Sequence, residues 1–265
     1  MYDTNYHKAE SVDQAKALLA GGEDAQLLAG GQTLIPTMKA RLAAPSDLVD
    51  ISGIAALAGV SIEGDVVSIG AAACHADVAR DANLRSVCKA LADLAANIGD
   101  PAVRNRGTLG GSIANNDPAA DYPAAMVALN ATIVTDAREI PADDFFDGMF
   151  TTALNEGEII LSVRFTAPAK AAYAKFPNPA SRYAMCGVFV AVAGDVRVGV
   201  TGAGNDGVFR ASAMEKALEK ELSPASLDGI VPEAEDMLSD LHGDGAYRAN
   251  LVNVMAKRAV VTAIS

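Results

Sequence analysis

Two pairs of adjacent glycines, Gly30-Gly31 and Gly110-Gly111, constrain this chain more than any other feature. The first pair stands in AGGQT, Ala29 to Thr33. It follows a short apolar run, Gln26 to Ala29, and precedes a helix-like stretch from Thr33 to Leu42 with Pro36 near its first turn, then a second run, Leu48 to Ile51. Strand, glycine turn, helix and strand make a small βαβ unit. Paired glycines let the backbone turn with positive φ and approach a ligand closely, while the helix start aims free N–H groups at the same point. Such a turn suits a pyrophosphate; on spacing alone, a plain βα turn is an equal reading.

The second pair lies in GTLGGS, Gly107 to Ser112, close before Asn115, Asn116, Asp117 and Asp121. It falls in a stretch with little periodicity, Gly99 to Asp121, and long loops inside compact domains are usually functional. The flanking Thr108 and Ser112 hydroxyls and the amide and carboxylate groups that follow suit a sugar or ribityl chain. The plain alternative is an Ω-loop closed by its own side chains. Two glycine clamps together suit a long dinucleotide better than a mononucleotide.

Composition removes other classes. A net charge of -12 over 265 residues argues against nucleic acid, which needs a basic footprint. With 51% hydrophobic residues the chain can bury a sizeable core. No apolar run is long enough to span a bilayer and the first residues do not read as a signal peptide, so a cytoplasmic location is expected. Three scattered cysteines, Cys74, Cys88 and Cys186, cannot build an all-cysteine iron–sulfur or zinc site.

Other candidates are weaker. GAGNDG, Gly202 to Gly207, matches GxGxxG, but helices fill the rest of the chain, so a strand-to-helix turn is the better reading. Cys74-His75 with Asp77 lacks partners for metal or nucleophilic chemistry and reads as a helix start. Arg104 and Arg106 could hold a ligand loop, face a partner protein or form a local salt bridge. Lys175, in YAKF, is either an ordinary edge-strand lysine or a cation beside a flavin, with the loop PNPASRYAM carrying Tyr183 as a cover.

The remaining elements are expected as follows. The chain opens with a helix capped by Ser11 and Gln14 and stopped at Gly21-Gly22. Val66 to Gly70 is a strand, His75 to Asn97 one or two helices, Tyr122 to Leu129 a helix, and Ala131 to Thr135 and Glu158 to Phe165 strands. After a boundary at Thr166 to Ala172, Met185 to Ala193 and Val196 to Thr201 form a hairpin turned at Gly194-Asp195. Helices follow over Ala211 to Lys220, Ser226 to Leu241 and Ala246 to Ile264. The nine acids against two lysines between Glu215 and Asp244 read as solvated helix faces.

AGGQTLIPTMKARLAAPSDLVDIS, IGDPAVRNRGTLGGSIANNDPAADYPAA, EIILSVRF and YAKF, in that order, resemble the FAD-binding medium subunit of the molybdenum hydroxylases, the family of carbon monoxide and xanthine dehydrogenases. The resemblance implies a mixed α/β and α+β chain: a vanillyl-alcohol-oxidase-like FAD-binding domain over 1–168, with subdomains of about 1–53 and 54–168, and a small α+β domain over 169–265. It implies that Leu28, Ala29, Gly30, Gly31, Gln32, Thr33 and Leu34 wrap the FAD pyrophosphate, and that Thr108, Leu109, Gly110, Gly111 and Ser112 close on it. Asn115 and Asp121 match positions on the phosphate–ribose–ribityl region. Ile98 matches one against the isoalloxazine, Ile160 one near the adenine end, Lys175 one at the ring's polar edge and Tyr183 one over the flavin. No residue is implied to act as a catalytic acid or base, and none to hold a metal. The implied partners are a molybdopterin-binding large subunit, a two-iron two-sulfur small subunit and an electron acceptor such as NAD or a quinone. Ser181-Arg182 departs from the Gly-Asp that the family often carries before the aromatic residue, which changes the charge of the covering loop. The alternatives are a self-contained flavin oxidase of the same fold and a scaffold subunit without flavin.

Overall fold

The computed structural model describes residues 1–265. A three-stranded parallel sheet of order β1-β3-β2 opens the chain: β1 (Asn5–Lys8), β2 (Ala25–Leu28) and β3 (Asp47–Asp50). The chain thus begins with a strand, not the expected helix. With only four mostly exposed residues and no apolar run, β1 gives no periodic signal. Helix α1 (Val12–Gly21) follows, with the Ser11 hydroxyl accepting from Gln14 N–H and the Gln14 side chain accepting from Glu10 N–H. The expected βαβ unit forms, since β2 pairs parallel to β3 across α2 (Leu34–Lys39), a helix shorter than its pattern.

The middle of the chain builds a five-stranded antiparallel sheet, β4-β5-β8-β6-β7, from β4 (Val60–Glu63), β5 (Val66–Gly70), β6 (Thr132–Thr135), β7 (Glu139–Pro141) and β8 (Ile160–Thr166). Between β5 and β6 run α3 (His75–Arg80), α4 (Ala82–Val87), α5 (Lys89–Ala96), α6 (Pro101–Arg104), α7 (Leu109–Asn115) and α8 (Tyr122–Ala128), and α9 (Ala142–Phe145) follows β7. His75 to Asn97 therefore holds three helices, because Asp81 and Cys88 break the run, and Asp81 caps α4 through Leu84 N–H. The stretch 99–121 is not irregular: α6 is capped by Asp100, α7 by Thr108, and Asn116 ends α7 in the left-handed region at φ 44°. These helices are too short to leave an apolar period.

The last sheet, β12-β11-β10-β9, is antiparallel: β9 (Lys170–Pro177), β10 (Ala184–Ala193), β11 (Asp195–Gly204) and β12 (Gly207–Arg210). β10 and β11 form the expected hairpin, with Gly194 at φ 94°. Alternation along β10 feeds two cores. Cys186, Val188 and Val190 face α11 (Gly245–Ile264), while Phe189 and Ala191 join the middle core with Tyr122, Met126 and Phe145. α8 lies so close to this sheet that a Cβ at Gly199 would sit 2.1 Å from Ala124 O.

GAGNDG turns a β-hairpin, β11 to β12, and not a strand into a helix; α10 (Ser212–Lys220) starts only afterwards. With no helix start behind its glycines, this segment has no dinucleotide-binding geometry. Ser226 to Leu241 is not a helix either. Gly229 (φ 73°) and Pro232 interrupt it, leaving 3₁₀ turns at Pro224–Leu227 and Ala234–Asp236, and the buried Asn253 amide holds the Leu227 and Ile230 carbonyls. Seven of the nine acids between Glu215 and Asp244 lie outside any α-helix, and Glu215 is buried, accepting from Val198 N–H and Arg210. No helix is long and apolar enough to cross a membrane.

Candidate functional site

A cavity of about 790 Å³ opens where the first sheet, the helices after β5 and the end of β9 meet, within the usual range for ligand clefts. It brings together every residue expected at the site except Leu109. The Leu109 side chain is fully buried in the middle core beside Ile113, because one face of a capped helix must pack inward.

The two glycine pairs meet here. A Cβ on Gly30 would lie 2.3 Å from Arg106 O and 2.7 Å from Gly107 Cα, so the first turn rests directly on the backbone leading into the second. Gly110 is equally tight against the end of β5, 2.6 Å from Ala71 Cβ. Gly31 takes φ 67°, the left-handed turn that favours glycine. Gly111 differs: its Cβ would meet only the Thr108 hydroxyl at 2.8 Å, with open cleft beyond.

Hydrogen bonding separates the two motifs further. The N–H groups of Gly30, Gly31, Gln32 and Thr33 find no acceptor within the chain, and Thr33 does not cap α2 with its side chain. In the second motif, Leu109 N–H goes to Ala73 O, Gly110 N–H to Ala71 O, Gly111 N–H to the Thr108 hydroxyl and Ser112 N–H to Thr108 O. One wall therefore offers a row of unpaired donors. The other offers a bare, close-packed backbone with the Ser112 and Asn115 side chains. That is a cradle for an anionic, elongated group, and FAD, with its pyrophosphate between two long arms, fits it.

At the far end, Lys175 Nζ lies 2.9 Å from Asp121 Oδ1 and 3.0 Å from Oδ2, and the Tyr173 hydroxyl donates to Oδ1 at 2.6 Å. Burial pushes the Asp121 carboxyl above its ordinary range, while the Lys175 charge and the Tyr173 hydrogen bond pull it back down. Asp121 is thus already bonded to protein on both oxygens. Tyr183, half exposed, lies on the loop after β9, which Asn178 closes by accepting from Ala180 and Ser181 N–H; Arg182 in that loop adopts φ 64°. Ile98 and Ile160 line the walls.

Glu158, read from the sequence only as the start of a strand, also lines the cavity. Hydrogen bonds from Arg138 lead the causes that hold its carboxyl down at about 2, and it also accepts from Thr135 and Asn155. It anchors the start of β8. Arg104 forms no salt bridge; its guanidinium donates to the Ile98 and Gly99 carbonyls and so fixes the loop that carries Ile98. Arg106 is exposed and unpaired.

His75 is a helix start, as its spacing suggests, yet it also lines the cavity. It is 5% exposed, its ring is 5.4 Å from that of Tyr122, and Nδ1 has no partner. Burial holds its pKa down at about 4. A base that is harder to protonate in the folded chain than in the unfolded one costs stability as pH falls from 6.5 towards 4. The loss reaches roughly 3 kcal/mol over that interval. Urea unfolding at pH 7 and pH 5 should show it, and His75→Leu should flatten that limb; an unchanged slope in the variant would rule out His75 as its source.

Comparison with known proteins agrees with this geometry. Residues 2–168 match the family model described as the FAD binding domain in molybdopterin dehydrogenase. The carbon monoxide dehydrogenase medium chain of Hydrogenophaga pseudoflava is 36% identical over 96% of this chain and 95% of that one. The glyceraldehyde dehydrogenase medium chain of Sulfolobus acidocaldarius is 34% identical, over 96% of each. A solved chain of reconstituted CO dehydrogenase from Oligotropha carboxidovorans superposes with a TM-score of 0.90 at 34% identity, covering 98% of this chain and 97% of that one. The chain belongs to the family of FAD-binding medium subunits of the molybdenum hydroxylases.

Proposed function

We propose that FAD lies along this cavity with its pyrophosphate on the free amides of Gly30 to Thr33 and its isoalloxazine between Ile98, Lys175 and Tyr183. In this reading the chain receives electrons from the two-iron two-sulfur clusters of a small subunit, after substrate oxidation on a molybdopterin-binding large subunit. It delivers them to an external acceptor, NAD, a quinone or another carrier. The observation that carries it is the row of unpaired amides of Gly30 to Thr33 lining the same cavity as the close-packed Gly110-Gly111 backbone.

Bound FAD supplies the redox chemistry; this chain's residues bind and orient it. Gly31 takes the left-handed turn, and the N–H groups of Gly30 to Thr33, without acceptors in the chain, are free to bind the pyrophosphate. Ser112 and Asn115 offer hydrogen bonds to the hydroxyl-rich arm, and Lys175 offers a cation near the ring. We assign residues 1–168 to flavin binding and 169–265 to a smaller domain whose first strand, β9, carries Lys175 into the site. A cytoplasmic location accords with three unpaired thiols.

The visible spectrum of the purified chain with added FAD, followed by co-purification from its host, tests this. Flavin bands and co-eluting molybdenum and iron–sulfur subunits are expected. Turnover of a substrate by the flavin-loaded chain alone would replace this reading with a self-contained oxidase. No flavin uptake under any condition would leave a scaffold subunit.

A further inference from the structure

We propose that Tyr173 is a positioning residue of the flavin site: acting through Asp121, it fixes Lys175 and sets how much positive charge that lysine presents to the cavity. This rests on the FAD reading above. Tyr173 and Lys175 are two apart on β9 and so point to the same face. Both reach one carboxylate, at 2.6 Å and 2.9 Å. Asp121 occupies the N-cap position of α8 but makes no capping bond; its oxygens are spent on Tyr173 and Lys175. Helix capping therefore does not explain it.

The surroundings are built for this contact. Gly187 on β10 pairs with Lys175, and a Cβ there would lie 2.2 Å from the Tyr173 hydroxyl, so glycine leaves the hydroxyl its path. The Tyr173 ring is held against Phe189, with centroids 6.2 Å apart. The Asp121 and Lys175 side chains are 5% and 10% exposed, which leaves water little part in holding either charge. The remaining protein contact of Lys175 Nζ is Asn97 O at 3.4 Å.

The balance of charge follows. Asp121 neutralises Lys175, and each hydrogen bond donated to the carboxylate weakens its hold on the ammonium. Without the tyrosine hydroxyl the carboxylate draws harder on Lys175, and the cavity meets less positive charge. Without the carboxylate charge, no protein anion offsets the Lys175 ammonium, and the anionic reduced flavin becomes its counter-charge. A reduced flavin carries more negative charge than an oxidised one, so its reduction equilibrium reads this directly.

The test is spectroelectrochemical titration of the FAD-loaded chain. Tyr173→Phe should disfavour reduction by about tenfold, about 30 mV for a two-electron couple, and Asp121→Asn should favour it by at least as much. In the Asp121→Asn background Tyr173→Phe should have no further effect, since the carboxylate through which it acts is gone. Gly187→Ala, which displaces the hydroxyl while leaving the tyrosine in place, should reproduce the Tyr173→Phe shift and serves where the phenylalanine variant is poorly folded. An unshifted potential in Tyr173→Phe, or the same shift in both backgrounds, would overturn the inference. A parent chain that takes up no flavin would instead overturn the functional reading beneath it.

Discussion

Gly30→Val should purify without flavin and unfold at a clearly lower temperature than its parent, whereas Gly111→Val should lose the flavin and keep most of its stability. The two glycines share a motif type but differ in what surrounds them. At Gly30 an added Cβ meets main-chain atoms, Arg106 O at 2.3 Å and Gly107 Cα at 2.7 Å. Backbone cannot rotate aside, so the first turn must lift off the second, at a cost typical of overpacking, about 1–3 kcal/mol. The same displacement separates the free amides from the opposing wall. At Gly111 the added Cβ meets only the Thr108 hydroxyl, and the branched methyl groups then fill the cleft. The structural penalty is confined to the Thr108 cap, about 1 kcal/mol. Flavin absorbance per protein and thermal unfolding of the apo chains read the two effects separately. Flavin retained by Gly111→Val would mean that its face of the cleft does not meet the cofactor.

This contrast marks how far the sequence could be read. The glycine pairs, the hairpin at Gly194 and the strand around Lys175 were legible because each rests on a local rule: a positive φ, a tight turn, an alternating run. That Gly30 touches Gly107 was not, because the contact joins segments far apart in the chain and depends on where α6 ends. That the Leu109 side chain turns to the core was hidden for a related reason. A motif spacing cannot say which face of α7 turns to the core until the cap at Thr108 sets its phase. Helices α3 to α7 are so short that caps and tertiary packing, not periodicity, define them. Tyr173 had a usable signal, its i, i+2 relation to Lys175, but its partner Asp121 lies on another element and only the folded chain joins them.

Breaking that buried pair gives the second large effect. Lys175→Met should destabilise the chain by about 3–5 kcal/mol near neutral pH, because it strands a buried carboxylate that has lost its counter-charge. The pH dependence identifies the cause. Burial already raises the Asp121 pKa above its ordinary 3.8, and loss of the lysine raises it further. Above the unfolded value, the native variant then binds a proton that the unfolded chain does not. Stability must therefore fall as pH rises through that window. The deficit against the parent should be small near pH 5 and should widen towards pH 8. The double variant Asp121→Asn/Lys175→Met should recover much of it at pH 8, since removing both charges leaves no uncompensated ion. Urea unfolding of the three chains at both pH values reads the difference. A deficit that stays constant with pH would assign the lysine's role to its aliphatic stem packed on β9 rather than to its charge, and would leave Asp121 satisfied by Tyr173 alone.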